Sequence, residues 1–326
     1  MIEFRNVSLS YGNARVFEGF NFTIARGEFI TVVGPSGSGK STLVRMVNRM
    51  VPLQGGAIYL QGVNTADMPE RDVRLHMGYA LQGVGLFPHW SVARNIGTVP
   101  ALLGWKQARI DRRVDELLQL FQLEPAEFRA RFAHQLSGGQ AQRVGVARAL
   151  AADPDVLLMD EPFGALDPIT RAALRLEMKR VHAVAGKTTI MVTHDIEEAL
   201  ALGTRVLVLQ GGKLVQVATP LELITRPATP WVADFLGQGD LGLKALALQT
   251  VASRMQRVAA VPAAVIGAPS DVFANVGERD GATVAVTASL REAVSLMAQH
   301  QVSRLQVVDA QGGHVGQLHI SDVVAP

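Results

Sequence analysis

The sequence predicts an α/β protein, in which a largely parallel sheet layered with helices is followed by a second, smaller α/β unit. Three observations carry this. From about residue 28, short apolar runs rich in β-branched residues alternate with runs of helical length and period. The first of these runs, EFITVV, feeds straight into the glycine-rich stretch GPSGSGKST and then a helical pattern, which is the context of a phosphate-binding loop. After about Leu241 the composition shifts, and a compact strand–helix–strand–strand pattern occupies the end of the chain. At 326 residues the chain is long for one core, and with 48% hydrophobic residues it can fill two.

Taken in order, Ile2, Phe4, Val7 and Leu9 predict an early strand that ends at a turn, Tyr11-Gly12. A buried strand over 28–33 follows, then a helix from near Lys40. Further strands are expected over 53–62 and 76–81. Between about 88 and 150 the pattern is helical, through SVARNIGTVPALLG, ARIDRRVDELLQLFQL and the run after Ser137. A strand over 156–159 ends in Asp160 and Glu161. After Pro168 comes a helix, then the strand TTIMVTH, the helix DIEEALALG and the strand RVLVLQGGKLVQVA. RPATP, with Pro227 and Pro230, breaks the chain before the helix WVADFLG. Residues 243–268 are rich in Ala and Val, and 267–281 reads as a loop or degenerate element. The tail closes with the strand VAVTA, the helix SLREAVSLMAQHQ, the strands RLQVVDA and HVGQLHI about a QGG turn, and the short helix SDVVAP.

Composition excludes several classes. Lys and Arg number 31 against 29 Asp and Glu, a net charge of +2, and the arginines are spread along the chain, which argues against a nucleic-acid partner. There is no cysteine, hence no disulfide, thiolate chemistry or cysteine metal site. No run of about 18 apolar residues predicts a membrane span, and the N-terminus lacks the apolar core of a signal peptide.

GPSGSGKST, residues 34–42, matches G-x-x-x-x-G-K-[ST] in full. Gly34, Gly37 and Gly39 permit tight turns; Pro35 belongs to the same loop and lacks a donor, and the N–H groups of Ser36 and Ser38 join those of the glycines in a nest for phosphate oxygens. Lys40 sets a positive charge between the outer phosphates, Ser41 offers an oxygen to Mg²⁺, and Thr42 hydrogen-bonds phosphate. Asp160 ends a buried strand and suits Mg²⁺, while Glu161 beside it can polarise a water. His194, just past another strand, can donate to a terminal phosphate. Gln82, after the strand GYAL, can reach Mg²⁺ or that water. Tyr11 can stack on adenine or sit as a surface turn residue.

A second phosphate site appears in QLSGGQAQRVGVARAL, where Ser137, Gly138, Gly139 and Gln140 open a helix. One chain cannot easily wrap one phosphate chain with both. Two copies head to tail can, each offering its Ser137-Gly138-Gly139 end to the nucleotide on the other's Lys40.

Together GPSGSGKST, LSGGQ, LLMDEP, GALD and the histidine of VTHD resemble the nucleotide-binding subunit of ABC transporters, over residues 1 to about 236. The resemblance implies a P-loop NTPase of ABC type with a helical subdomain at about 88–150, and ATP and Mg²⁺ as ligands. It further implies Glu161 as general base, His194 as switch residue, Gln82 in the loop joining core to subdomain, and Ala165, Leu166 and Asp167 at a dimer seam. MGYALQGVGLFPHWSVARNI and the stretch from HQLSGGQ to DPITR resemble the ATPases of bacterial importers for osmoprotectants such as glycine betaine and choline. That resemblance implies transmembrane permease subunits docking near residues 85–90, an extracytoplasmic solute-binding protein, and a peripheral place on the cytoplasmic face of the cell membrane. Phe87 and Trp90 are candidates for the docking groove or for the subdomain core. The tail is similar to a CBS motif over 282–326, with 237–281 a linker and degenerate CBS-like segment. His319 stands where nucleotide-binding versions carry Thr or Ser, ahead of Asp322. The rival readings are an importer ATPase for another small solute, such as an amino acid, polyamine or sulfonate, and a soluble ABC ATPase. The latter would carry long coiled coils or two cores.

Overall fold

The computed structural model describes residues 1–12, 14–80, 83, 85–257 and 282–324. Leu81, the candidate Gln82 and the expected loop over 267–281 lie outside the described residues. The chain divides into two compact units, Met1–Ala228 and Thr229–Pro326. The sequence expectation sets the boundary after residue 236. The division instead follows the Pro227 break, at Thr229, whose hydroxyl accepts from Val232 N and starts a new helix.

In the first unit, β1 (Ile2–Tyr11) pairs antiparallel with β2 (Ala14–Ile24). β3 (Phe29–Val33) belongs to a different sheet, while β4 (Gly55–Leu60) and β5 (Val63–Asn64) complete the antiparallel one in the order β2-β1-β4-β5. The sequence reading does not contain β2. Its apolar alternation through Phe17, Phe20, Phe22 and Ile24 is broken by register shifts against β1, which hide the period of two.

β6 (Met77–Ala80), β7 (Val156–Asp160), β8 (Thr188–Val192), β9 (Arg205–Gln210) and β10 (Lys213–Ala218) join β3 in a sheet ordered β10-β9-β3-β8-β7-β6. Every pair is parallel except β9 with β10. β9 and β10 are the single strand expected over RVLVLQGGKLVQVA, folded at Gly211 and Gly212, whose φ values of 55° and 73° suit a tight hairpin.

The parallel strands are buried on both faces, and their side chains alternate between two cores. Phe29, Leu157, Met159 and Met191 enter one core, and Ile30, Val32, Val156, Leu158, Ile190 and Val192 enter the other. The second core is closed by the antiparallel sheet and by α1 (Lys40–Val47). α2 (Glu70–Leu75) precedes β6. The first core takes the helical layer of α3 (Val92–Ile96), α4 (Thr98–Leu102), α5 (Gln107–Leu120), α6 (Pro125–Phe128) and α7 (Gly138–Leu150). On α5 the buried residues Ile110, Val114, Leu117 and Leu118 recur at helical spacing.

α8 (Pro168–Ala185) starts with Asp167 as N-cap and Pro168 in its first turn, and ends at Gly186. α9 (Ile196–Leu202) and α10 (Pro220–Thr225) complete the unit. No helix among the described residues is long and apolar enough to cross a membrane.

The second unit holds α11 (Pro230–Leu236), α12 (Leu241–Leu248), β11 (Gln256–Arg257), β12 (Thr283–Ala285), α13 (Leu290–His300), β13 (Arg304–Val308), β14 (His314–His319) and α14 (Ile320–Val324). Its sheet runs β11-β14-β13-β12, so the Ala/Val-rich stretch contributes a strand to the tail. Val251 is buried with Leu290, Leu305, Val307 and Leu318 in the core of this unit.

His182, on α8, packs edge-on to Phe29 at 5.0 Å between ring centroids, with Nδ1 3.3 Å from Thr189 Oγ1. Burial holds its pKa below the usual 6.5. A depressed folded pKa means stability that is present above about pH 6.5 and lost as pH falls through the folded value. The melting temperature of the parent should therefore drop between about pH 7 and 5 by more than that of His182→Gln, which calorimetry at stepped pH reads.

Candidate active site at the carboxyl edge of the parallel sheet

β3, β7 and β8 are parallel, so their carboxyl ends leave the sheet along one edge, where ligand crevices form in such sheets. The loop 34–39 leaves β3, Asp160 and Glu161 close β7, and His194 follows β8. In the loop, Gly34 has φ 156°, and a Cβ there would stand 2.2 Å from the carbonyl oxygen of Leu209 on β9, so the close approach requires glycine. Pro35, Ser36 and Gly37 are exposed, and Gly39 caps α1 in a left-handed conformation without a side-chain hydrogen bond. The first N–H groups of α1 are thus without a capping side chain from Gly39.

Lys40 Nζ donates to the carbonyls of Gly34 at 2.8 Å and Pro35 at 2.9 Å. Burial lowers its pKa, and the charges of Glu161 and Asp160 oppose that shift. Ser41 Oγ donates to Asp160 Oδ1 at 2.9 Å. Asp160 is 3% exposed, and burial raises its pKa against the Ser41 hydrogen bond. Glu161 has φ 46°, an uncommon left-handed backbone for a non-glycine residue. Its Oε2 lies 3.3 Å from His194 Nδ1, and the imidazole is 61% exposed, so the pair faces solvent from the sheet edge. Thr42 is half-buried on α1, and Tyr11 is exposed at the end of β1.

These residues fit a nucleotide and its cation. Ser38 Oγ is buried with no hydrogen-bond partner among the described residues, as if reserved for an acceptor or donor brought from outside. The donor set of Ser41 and Asp160 is all oxygen, which suits Mg²⁺.

Ser137 and Gln140 lie apart from this constellation in sequence, at the start of α7. They form a capping box. Ser137 Oγ accepts from Gln140 N, and Gln140 Oε1 accepts from Ser137 N. Gly138 is exposed and Gly139 buried. Asp167 accepts from Ile169 N and Thr170 N, and the hydrogen bonding with Thr170 and its neighbours holds its carboxyl below the usual range.

Sequence reasoning does not contain Asn95, which is 1% exposed on α3. Its Oδ1 accepts from Phe87 N, and its Nδ2 donates to the carbonyls of Phe87, Trp90 and Ser91. Arg148 of α7 donates to Gly85 O at 2.8 Å. The loop 85–91 is thereby set from two helices. Phe87 is 39% exposed and packs on Trp90 at 4.3 Å between centroids, with the rings tilted by 43°. Trp90 also lines an open cavity of about 580 Å³ with Arg94, Leu102 and Asp111. Asn95 stands next to the buried Ile96 on a short helix, which is the one sequence signal for this arrangement. In the tail, Asp322 accepts from His319 N and from Gln256 Nε2, so its carboxylate is engaged within its own unit.

Comparison with known proteins accords with this geometry. The family profile described as ABC transporter matches residues 17–164, and that described as CBS domain matches residues 275–325. The chain is 46% identical to the glycine betaine uptake system ATP-binding protein YehX of Escherichia coli (strain K12), over 99% of both chains. It is 40% identical to the choline transport ATP-binding protein OpuBA of Bacillus subtilis (strain 168), over 95% of this chain and 76% of that one. Among solved structures, the dimeric structure of MJ0796, a bacterial ABC transporter cassette, superposes with a TM-score of 0.60 at 31% identity, over 68% of this chain and 99% of that one. With full-length relatives at this identity and a phosphate loop, carboxylates and histidine on one sheet edge, the chain belongs to the ATP-binding proteins of ABC transporters, a nucleotide-binding ATPase family.

Proposed function

We propose that this chain is the ATP-hydrolysing subunit of an ABC importer and powers uptake of osmoprotectants such as glycine betaine or choline. The observation that carries the enzymatic reading is the pairing of Glu161 with His194 at 3.3 Å beside the Lys40 loop. The solute class rests on the glycine betaine and choline proteins that match along nearly all of this chain.

The loop residues Gly34 to Thr42 hold the phosphates through N–H groups, the Ser38 hydroxyl and the Lys40 charge. Ser41 and Asp160 would hold Mg²⁺, with Gln82 as a further ligand; the ion supplies charge neutralisation at the transferred phosphoryl group. Glu161 polarises the attacking water, and His194 holds the terminal phosphate and that water in place. Tyr11 stacks on adenine. Ser137, Gly138, Gly139 and Gln140 of a second copy complete the phosphate site, with Asp167 at the seam between copies. The likeness to a cassette solved as a dimer supports this arrangement. The ATPase lies in the first unit, Met1–Ala228, in this reading. The aromatic loop 85–91, fixed by Asn95 and Arg148, receives the permease subunits, and a solute-binding protein delivers cargo from outside. The chain then works as a peripheral subunit on the cytoplasmic face of the cell membrane.

Vesicles holding the cognate permease, this subunit and its solute-binding protein should take up labelled glycine betaine or choline only with ATP, and Glu161→Gln should abolish uptake. Hydrolysis without uptake of either amine would keep the ATPase and overturn the solute class. Glu161→Gly should cut turnover by about 10²–10⁴-fold, because the base is lost. Its melting temperature should not fall, because glycine relieves a left-handed backbone that costs other residues about 1 kcal/mol. Asn95→Ala strands the backbone groups of the docking loop and should cost about 1–3 kcal/mol of stability in denaturant titration. It should lower uptake in vesicles by more than it lowers hydrolysis by the isolated chain.

A further inference from the structure

A partly buried ionic network joins the start of α8 to the residues on both sides of His194. Its centre is Arg171. The Nη2 of Arg171 donates to Leu166 O at 3.0 Å, in the loop that precedes α8. Nη1 lies 3.4 Å from Asp195 Oδ2, and Nε lies 3.8 Å from Glu198 Oε1. Glu198 is 3% exposed, and its Oε2 accepts from Thr193 Oγ1 at 2.5 Å. Thr193 Oγ1 in turn accepts from Asp195 N at 3.0 Å. Thr193 and Asp195 are the two chain neighbours of His194. One guanidinium therefore bears on both flanks of an imidazole whose own side chain is mostly in solvent.

We propose that Arg171 is a positioning residue, which ties the placement of His194 to the loop formed by Gly164, Ala165, Leu166 and Asp167. The inference rests on the roles given above to His194 and Glu161, and deepens them. An exposed imidazole is little constrained by packing. Besides its contact with Glu161, its placement depends on the backbone on either side, and here that backbone is held by the Thr193–Glu198 and Asp195–Arg171 contacts. The same arginine holds Leu166 O, so a displacement of the 164–167 loop, as when a second copy seats against it, is passed to His194 through one rigid planar group. The two hydrogen bonds leave from opposite Nη atoms of one planar fork, which a lysine ammonium could not reproduce, and the charge of Glu198 lies 3.8 Å from Nε. The network is also poorly explained as a stability device, since ion pairs that lose their water contribute little over an apolar packing of the same volume.

The test uses the full chain and reads kcat and KM for ATP together with the melting temperature. Arg171→Gln removes the centre of the network. Asp195→Asn removes one arm while keeping the N-cap of α9, because Asn caps as well as Asp, and so guards against a fold defect in the first variant. Each should lower kcat by about tenfold or more, with KM changed by less than about twofold. Combined with His194→Ala, neither should lower kcat further, because all act through one group. If His194→Ala is slow and the second substitution multiplies the loss, the network acts elsewhere and the proposal is overturned. A loss of kcat that only tracks the fraction of folded protein overturns it as well. If His194→Ala turns over at the parent rate, the role of the histidine itself fails, and that outcome is separable from failure of the network alone.

Discussion

The hydrogen bond from Ser41 to Asp160 spans 119 positions of sequence and joins the phosphate loop to the strand that carries the acids. Nearly everything else at the site depends on the constraint behind it. β3 and β7 are held two strands apart by β8, all three parallel, so the residues that leave them must emerge together. Had one of these strands run the other way, Lys40 and Asp160 would lie at opposite ends of the sheet. The double burial of the strands maintains that register, because a slip by one residue would exchange the occupants of the two cores.

Asp160 illustrates the tension that this placement creates. Its burial favours the neutral acid, while Ser41, Arg45 and Lys40 favour the anion. Lys40 is subject to the reverse tension. Each charge offsets part of the burial cost of the other. Glu161, one residue on, escapes to a less enclosed position through a left-handed turn of the backbone. Adjacent carboxylates thereby acquire distinct environments, one suited to holding a cation and the other to handling water.

How much of this could be read from the sequence depended on whether the physical requirement was local. The phosphate loop was legible because glycine spacing, the lysine and the strand–helix context lie within fifteen or so residues, a span on which turn chemistry acts. Asp160, Glu161 and His194 were legible because each ends an obvious apolar strand. β2 was not, because bulges disturb its period. The hairpin at Gly211 and Gly212 reads as one strand, since two apolar runs flanking a glycine pair are continuous in composition. Arg171 was not legible because its carboxylate partners, Asp195 and Glu198, are brought near by the packing of α8 and α9. Asn95 was not legible although its partners lie four to eight residues upstream, because nothing in the sequence shows that the loop folds back onto it.

The capping box at the head of α7 has one further consequence. A serine hydroxyl carries a single proton and two lone pairs. Accepting from Gln140 N occupies a lone pair and leaves the proton free, and the same contact removes most of the rotamer freedom of the side chain. Whatever acceptor approaches Ser137 meets a donor that has already been oriented by the helix it caps. The conformational entropy of that group is spent during folding, so it does not weaken the later encounter.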